Sequence, residues 1–341
     1  MASSALQKPD AASIRRAAAH LAAGGLVGMP TETVYGLAAS AFDERAVAAV
    51  FRVKRRPRFD PLIVHVESPE QAWSLVTAWP EAAQRLAERF WPGPLTLVLP
   101  KHESVPDLVT AGLDSVAVRC PDHPVALALI QALNGPIAAP SANRFGGISP
   151  TLAEHVVEEL GDEVGLILDA GPCGRGVEST VVSLLGERAV LLRPGALAVE
   201  AIEGVMGELD SPAAASDNPS IAQASPGRLE RHYAPGTPML LYIDEIPEST
   251  VMHGAVSGGC AKRVGLLTLG PDPLAESAFS WSERVCLSES GDLAEAAAGL
   301  FAALRRLDRA SLDLIVAQSP REQGGLGAAI ADRLRRGAVR G

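Results

Sequence analysis

The sequence predicts an α/β protein of two domains, on three observations. Its 341 residues are enough for two domains of ordinary size. Residues 207–238 break the alternation of strand and helix, and Ser211 to Pro219 reads Ser-Pro-Ala-Ala-Ala-Ser-Asp-Asn-Pro, a linker composition. Beyond them, strands at Met239–Tyr242, Val264–Leu269 and Leu312–Ala317 alternate with helices at Leu293–Leu307 and Gly327–Arg336. That βαβ rhythm implies a small, separate, doubly wound domain. The expected division is 1–206, a linker at 207–238, and 239–341.

Composition bounds the function. Hydrophobic content of 47% and charged content of 21% describe a globular chain, with aromatics at only 4%, so Ala, Val and Leu must fill the cores. A formal net charge of -10 argues against a surface made wholly for nucleic acid. Cys120, Cys173, Cys260 and Cys286 are far apart and form no Cys-x-x-Cys, which favours a reducing compartment over a zinc site or disulfide framework. Met1 to Asp10 carries no apolar h-region and no stretch approaches membrane-spanning length, so the expected location is cytoplasmic.

Ala11–Ala23 puts Ile14, Ala17, Ala18 and Leu21 on one helical face, and Gly24-Gly25 stops it. The strand Leu26–Met29 leads into Pro30-Thr31-Glu32-Thr33-Val34-Tyr35-Gly36-Leu37, whose threonines can bind a substrate or pin their own loop. Asp43 is a plausible N-cap for a helix ending near Lys54. Lys54-Arg55-Arg56-Pro57-Arg58 follows; four cations in five residues repel unless an anion neutralises them, while cations at a helix C-terminus also suit the dipole. Pro61–Val66 reads as a strand with His65 on the face opposite Leu62, Val64 and Val66. Glu81–Phe90 is helical, and Trp91-Pro92-Gly93-Pro94 turns into the strand Leu95–Leu99.

Ser115–Arg119 alternates, with Val116 and Val118 on one face and Ser115, Ala117 and Arg119 on the other. An arginine at a strand end suits an oxyanion or carboxylate, because its planar fork binds such groups in pairs; a surface salt bridge is the alternative. Pro124 starts a helix that ends at Asn134-Gly135. The stretch from Pro136 to Thr151 then runs from a short strand, cut by Pro140, through Ser141-Ala142-Asn143 and two glycines to Ser149-Pro150-Thr151. Thr151 and Glu154 have capping-box spacing. Polar side chains at a strand mouth before a Gly-rich loop build pockets in α/β proteins, and serve equally as plain turns. Leu166–Asp169 is a strand. Gly174-x-Gly176 lacks a third glycine and precedes a strand, so no dinucleotide fingerprint is present, nor any Walker A motif; a phosphate-using enzyme here needs side-chain cations. Arg193, at a strand end, is one. Inside the linker, Ser225-Pro226-Gly227 and Arg231-His232-Tyr233-Ala234-Pro235 suggest a lid.

Taken in order, Pro-Thr-Glu-Thr-Val-Tyr-Gly-Leu from Pro30, Lys-x-Arg-Pro from Lys54, Pro-Leu-Ile-Val-His from Pro61, Trp-Pro-Gly-Pro-Leu-Thr from Trp91 and Val-Ala-Val-Arg from Val116 resemble the threonylcarbamoyl-AMP synthases in their long, two-domain form. Ala-Pro-Ser-Ala-Asn from Ala139, Glu-Ser-Thr-Val-Val from Glu178, Arg-Pro-Gly from Arg193 and His-Tyr-Ala-Pro from His232 extend the resemblance over nearly the whole chain. It implies a YrdC-like twisted mixed sheet with flanking helices, plus a smaller Rossmann-like α/β C-terminal domain. It implies synthesis of an acyl adenylate from L-threonine, bicarbonate and ATP, with magnesium, for N6-threonylcarbamoyladenosine in tRNA. Downstream transfer proteins are then the partners, with neither membrane nor stable nucleic-acid binding.

The resemblance further implies that Thr33, His65, Arg119, Ala139 and Ser179 bind L-threonine. Lys54, Arg56, Asp60, Ser115, Ser141, Asn143, Ser149, Arg193 and Tyr233 bind ATP, Tyr233 as a lid residue. Lys54, Arg56 and Arg119 act as the catalytic cations, with no protein metal ligand. Two positions depart from the family. Asp60 stands where Asn is frequent, and a carboxylate near the triphosphate repels it unless magnesium or Arg58 offsets the charge; Phe145 stands where Ser is common. The rival classes are an RNA-binding protein and a nucleotide sensor without turnover.

Overall fold

The computed structural model describes residues 5–211, 232–244, 256–257, 260–261, 263–271, 280–321 and 324–338. They divide into two units: residues 5–145, 149–174 and 178–211 form the first, and 146–148, 175–177 and 232–338 the second. Of the expected linker, residues 212–231, which include Ser225 and Arg231, lie outside the described residues.

In the first unit the chain runs β1 (Leu6–Gln7), α1 (Ala11–Ala22), β2 (Val27–Met29), β3 (Gly36–Ser40), α2 (Glu44–Lys54), β4 (Ile63–His65), α3 (Pro69–Trp73) and α4 (Glu81–Phe90). It continues with β5 (Leu95–Pro100), α5 (Asp107–Thr110), β6 (Ser115–Arg119), α6 (Pro124–Leu133), β7 (Ile137–Ala138), α7 (Ala153–Leu160), β8 (Leu166–Leu168), β9 (Thr180–Ser183), β10 (Val190–Arg193) and α8 (Val199–Met206). The strands form one mixed sheet in the order β1-β8-β2-β3-β7-β4-β6-β5-β9-β10. Pairing is parallel between β4 and β6 and between β5 and β9, and antiparallel between β3 and β7 and between β5 and β6.

Alternation divides the sheet's two faces. Leu37, Ala39, Val64, Val66, Leu97, Leu99, Val116 and Val118 join Val47, Val50 and Phe51 of α2 and Leu86 of α4 in the main core. On the other face, Ala17, Ala18 and Leu21 of α1 and Leu129 and Ile130 of α6 cover Val27, Met29, Ala38 and Leu168. Each fully buried aliphatic side chain contributes roughly 1.5–3 kcal/mol. Further along that second face the cluster is small and built from strand residues, Ile63, Val98, Ala117, Val181, Val190 and Leu192. His65, Ser115 and Arg119 share this face by their positions in β4 and β6.

The helix ends direct the chain into that region. Asp43 caps α2 by accepting from the Arg45 and Ala46 backbone N–H groups. Pro124 opens α6, and Asn134 closes it in the left-handed conformation. The capping box expected at Thr151 and Glu154 does not form: α7 starts at Ala153 with Leu152 at its N-cap and no side-chain cap. The Thr151 N–H instead donates to Nδ1 of His155, 3.2 Å away, the bond that Glu154 would accept in such a box.

The second unit carries β11 (Met239–Tyr242), β12 (Val256–Ser257), β13 (Cys260–Ala261), β14 (Val264–Thr268), β15 (Glu283–Cys286), α9 (Leu293–Arg309), β16 (Leu314–Gln318) and α10 (Gly325–Ala338). Its four-stranded sheet, ordered β11-β16-β14-β15, is parallel throughout. β15 was not expected, since Glu-Arg-Val-Cys shows no apolar alternation. Residues 245–255 and 272–279, on which double winding depends, lie outside the described residues. Among the described residues no helix is long and apolar enough to cross a membrane.

The end of α2 stores strain. Arg55 occupies its C-cap at φ 52°, ψ 37°, a left-handed conformation suited to glycine. Arg55→Gly is expected to raise unfolding stability by about 0.5–1 kcal/mol, since relief of the Cβ strain exceeds the added chain entropy; a lower urea midpoint in that variant would refute this account of the cap.

Candidate active site

Three backbone hydrogen bonds lace the Pro30–Leu37 loop to the Pro136–Thr151 stretch. Leu37 N–H donates to Pro140 O, Ala142 N–H to Tyr35 O, and Tyr35 N–H to Pro150 O, each at 2.8 Å. Ala139 N–H reaches Ile63 O at 3.0 Å, placing Ala139 beside β4. His65 is the direct register partner of Arg119 across the β4–β6 ladder. Strand pairing and loop lacing thus assemble residues that are distant in sequence.

Hydroxyl chemistry fixes the direction of the bonds there. Thr31 Oγ1 gives its one hydrogen to Val34 O at 2.6 Å. The 2.9 Å bond between Thr31 and Thr33 is therefore donated by Thr33. Arg119 Nη1 donates to Thr33 Oγ1 at 3.0 Å, so the Thr33 hydroxyl can offer a ligand only a lone pair. Arg119 Nε donates to Gly93 O at 3.2 Å, and Nη2 lies 2.6 Å from Glu32 Oε1. Burial alone would raise the Glu32 carboxyl, but the charge and hydrogen bonding of Arg119 more than offset it, holding it below its ordinary range.

Ser179 lies on the far side of the Trp91–Pro94 turn. Gly93 N–H donates to Cys120 O and Thr180 N–H to Pro94 O, so one turn braces both Arg119 and Ser179. Ser179 Oγ is 2.8 Å from Thr96 Oγ1, and Arg193 Nη2 donates to Ser179 O at 2.9 Å.

The five-residue cationic segment divides. Lys54 and Arg56 are buried, whereas Arg55 and Arg58 face solvent. Lys54 Nζ donates to Ser141 O at 2.5 Å and to Asn143 O, and Phe145 N–H returns a bond to Lys54 O. Burial, then the Arg56 charge, pushes the Lys54 ammonium well below its ordinary pKa. Arg56 Nη2 pairs with Asp60 Oδ2 at 2.8 Å and also reaches Pro61 O. The charge expected to fall to Arg58 is therefore met by Arg56. Burial pushes the Asp60 carboxyl up, and Arg56, Lys54 and Arg193 pull it back.

Ser149 Oγ donates to Glu178 Oε1 at 2.6 Å, and Asn143 Nδ2 to Arg144 O at 2.7 Å. Ser115 is buried at the opposite end of β6 from Arg119, roughly 13 Å along the strand. Tyr233 belongs to the second unit, where its buried ring stacks on Phe301 at 5.6 Å and lies 5.1 Å from the Arg333 guanidinium. Among the described residues, no three His, Cys, Asp or Glu side chains converge as metal ligands.

The family model described as "Telomere recombination" (Sua5_yciO_yrdC) matches residues 19–195, and that described as "Threonylcarbamoyl-AMP synthase, C-terminal domain" matches 197–339. The threonylcarbamoyl-AMP synthase of Pyrococcus abyssi is 45% identical over 95% of this chain and 93% of its own. The chain belongs to the threonylcarbamoyl-AMP synthase family. The Bacillus subtilis threonylcarbamoyl-AMP synthase is 43% identical over 95% of this chain and 92% of its own. A crystal structure of P. abyssi Sua5 complexed with L-threonine superposes with a TM-score of 0.87, at 42% identity, over 98% of this chain and 96% of that one. The mixed α/β architecture expected from the resemblance is the one observed.

Within this synthase fold, three polar residues that sequence reasoning did not assign join the cluster, Glu32, Glu178 and Thr96, while Thr31 pins its own loop, one of the two roles expected for it. Glu32 and Thr31 lie inside Pro-Thr-Glu-Thr, Glu178 inside Glu-Ser-Thr-Val-Val, and Thr96 inside Trp-Pro-Gly-Pro-Leu-Thr, so the motifs themselves were the signal. Their partners are up to 87 positions away, which no local spacing shows.

His65 is buried, and its Nδ1 has no hydrogen-bond partner. Burial first, and the charge of Arg119 second, push its pKa down to about 3, leaving a neutral ring. As pH falls below about 6.5 the unfolded chain protonates this histidine, which the folded chain refuses until about 3. Stability should therefore be full above 6.5 and decline across that window, by up to about 1.4 kcal/mol per pH unit from this group. Urea midpoints between pH 4.5 and 7 are expected to fall more steeply for the native chain than for His65→Gln. An imidazole titrating near 6.5 by NMR would contradict the burial argument.

Proposed function

We propose that this enzyme makes threonylcarbamoyl-AMP and pyrophosphate from L-threonine, bicarbonate and MgATP. The observation that carries the reading is the set of buried cations Lys54, Arg56, Arg119 and Arg193, in a chain aligned over 95% of its length with named synthases. Threonine's amine takes up bicarbonate as a carbamate, releasing water. A carbamate oxygen then attacks the α-phosphorus, and the bond to pyrophosphate breaks. No covalent enzyme intermediate is needed, so positioning and charge neutralisation supply the acceleration.

In this reading Arg119 binds the amino acid's carboxylate, Thr33 accepts from its amine, and neutral His65, Ala139 and Ser179 line the same subsite. Lys54 has spent two of its three N–H donors on Ser141 O and Asn143 O, leaving one for a phosphate oxygen. Arg56, with Asp60 as its counter-ion, and Arg193 face the remaining charge; Ser115, Ser141, Asn143 and Ser149 complete the nucleotide contacts. Magnesium enters with the triphosphate and is held mostly by phosphate oxygens and water. The product passes to the proteins that transfer threonylcarbamoyl to tRNA, in the cytoplasm.

Pyrophosphate release from MgATP tests the reading, with L-threonine and bicarbonate omitted in turn. Release is expected only when both are present; release without threonine would point to another acceptor or to plain hydrolysis. Arg119→Ala is expected to cut threonine-dependent release more than about 100-fold, the loss of a buried charged contact, while the fold persists by circular dichroism. Full activity in that variant would remove Arg119 from its role.

A further inference from the structure

We propose that Glu32 is a positioning residue for this synthesis: its carboxylate fixes the Arg119 guanidinium in the orientation that receives the amino acid's carboxylate. The inference rests on the reading of Arg119 as that clamp.

Each guanidinium nitrogen of Arg119 has one partner: Nε the carbonyl of Gly93, Nη1 the hydroxyl of Thr33, and Nη2 the carboxylate of Glu32. An arginine carries five N–H donors; Nε and one on Nη1 are used in these hydrogen bonds, and the others, on the Nη atoms, remain for a ligand and for the ion pair with Glu32. Where these point depends on the plane of the group. Gly93 O at 3.2 Å and Thr33 Oγ1 at 3.0 Å are neutral acceptors, whereas Glu32 Oε1 carries charge and meets Nη2 as a buried ion pair at 2.6 Å, an attraction that low local dielectric strengthens. Glu32 therefore sets the orientation more than either companion.

Glu32 is also well placed to hold still. It is 9% exposed, and Arg119 only 3%. Its neighbours Thr31 and Thr33 are hydrogen-bonded to each other, and Thr31 to Val34 O, so the carboxylate projects from a loop braced on both sides of it.

Isothermal titration of the full chain with L-threonine, and separately with ATP, tests the proposal. Glu32→Ala frees the guanidinium and is expected to weaken L-threonine binding by about 10–100-fold, the usual effect of misplacing a binding group by an ångström. Glu32→Gln keeps a neutral acceptor at the same reach and should recover part of the affinity. ATP affinity should stay within about twofold in both, which a general loss of structure would not allow. If Glu32→Ala fails to fold, Glu32→Asp, which retains charge at shorter reach, should give an intermediate loss for L-threonine alone. The inference is overturned by unchanged L-threonine affinity in folded Glu32→Ala, by a Gln variant as weak as Ala, or by a loss shared with ATP. Arg119→Ala separates the two levels. If it binds L-threonine as the native chain does, the clamp reading fails; if it loses binding while Glu32→Ala does not, only the role of Glu32 fails. Adding Glu32→Ala to Arg119→Ala should cost nothing further, because the two act through one group.

Discussion

Keeping a guanidinium out of water is the constraint on which the first unit's polar face depends. A buried Arg119 needs partners for its charge and donors, and the fold supplies three of them from two segments distant in sequence, the Pro30–Leu37 loop and the Trp91–Pro94 turn. Each segment must be stiff to do so. The threonine hydroxyls stiffen the first, while Cys120 O and Thr180 N–H hold the second. The same bonds then decide what the neighbours can do. Thr33 is left as an acceptor because its hydrogen is already used, and His65 is kept neutral partly because a cation sits across the ladder from it.

The other cations obey the same rule with different partners. Lys54 forms no direct ion pair among the described residues; it lies on the carbonyls of Ser141 and Asn143, where burial disfavours its charged form and a nearby anion would favour it. Arg56 is paired with Asp60, which lowers the field but fixes the fork. On the proposed reading, a site assembled this way substitutes charged side chains for a glycine-rich phosphate loop. A reaction without covalent catalysis asks for such a site, since its transition state is stabilised mainly by preorganised charge.

The left-handed turn at Arg55 shows how local geometry sorts one segment into two roles. Ending α2 there carries Lys54 and Arg56 inward and leaves Arg55 and Arg58 in solvent. The sequence, which shows four cations in five residues, does not distinguish them. Nor does it show that Asp60 belongs to Arg56 rather than Arg58, because both lie within reach in an unfolded segment and only burial selects one.

Much of the secondary structure was legible because it is dictated locally. Asp43 before α2, Pro124 opening α6 and the alternation Ser115–Arg119 are each decided within a few residues, and they recur in the structure. The Thr151 cap was misread because His155, four residues on, competes for the same N–H, and spacing alone cannot rank two acceptors. Strand order, with β7 between β3 and β4 and β9 beside β5, was beyond reach, since pairing depends on long-range fit of two faces. By itself the sequence determined the α/β class, the motif residues and which of them carry hydroxyls or charge. Only the tertiary structure decided their partners. A hydrogen bond between residues 86 positions apart, such as Arg119 to Thr33, exists because burial leaves the guanidinium no water, and no local preference encodes that.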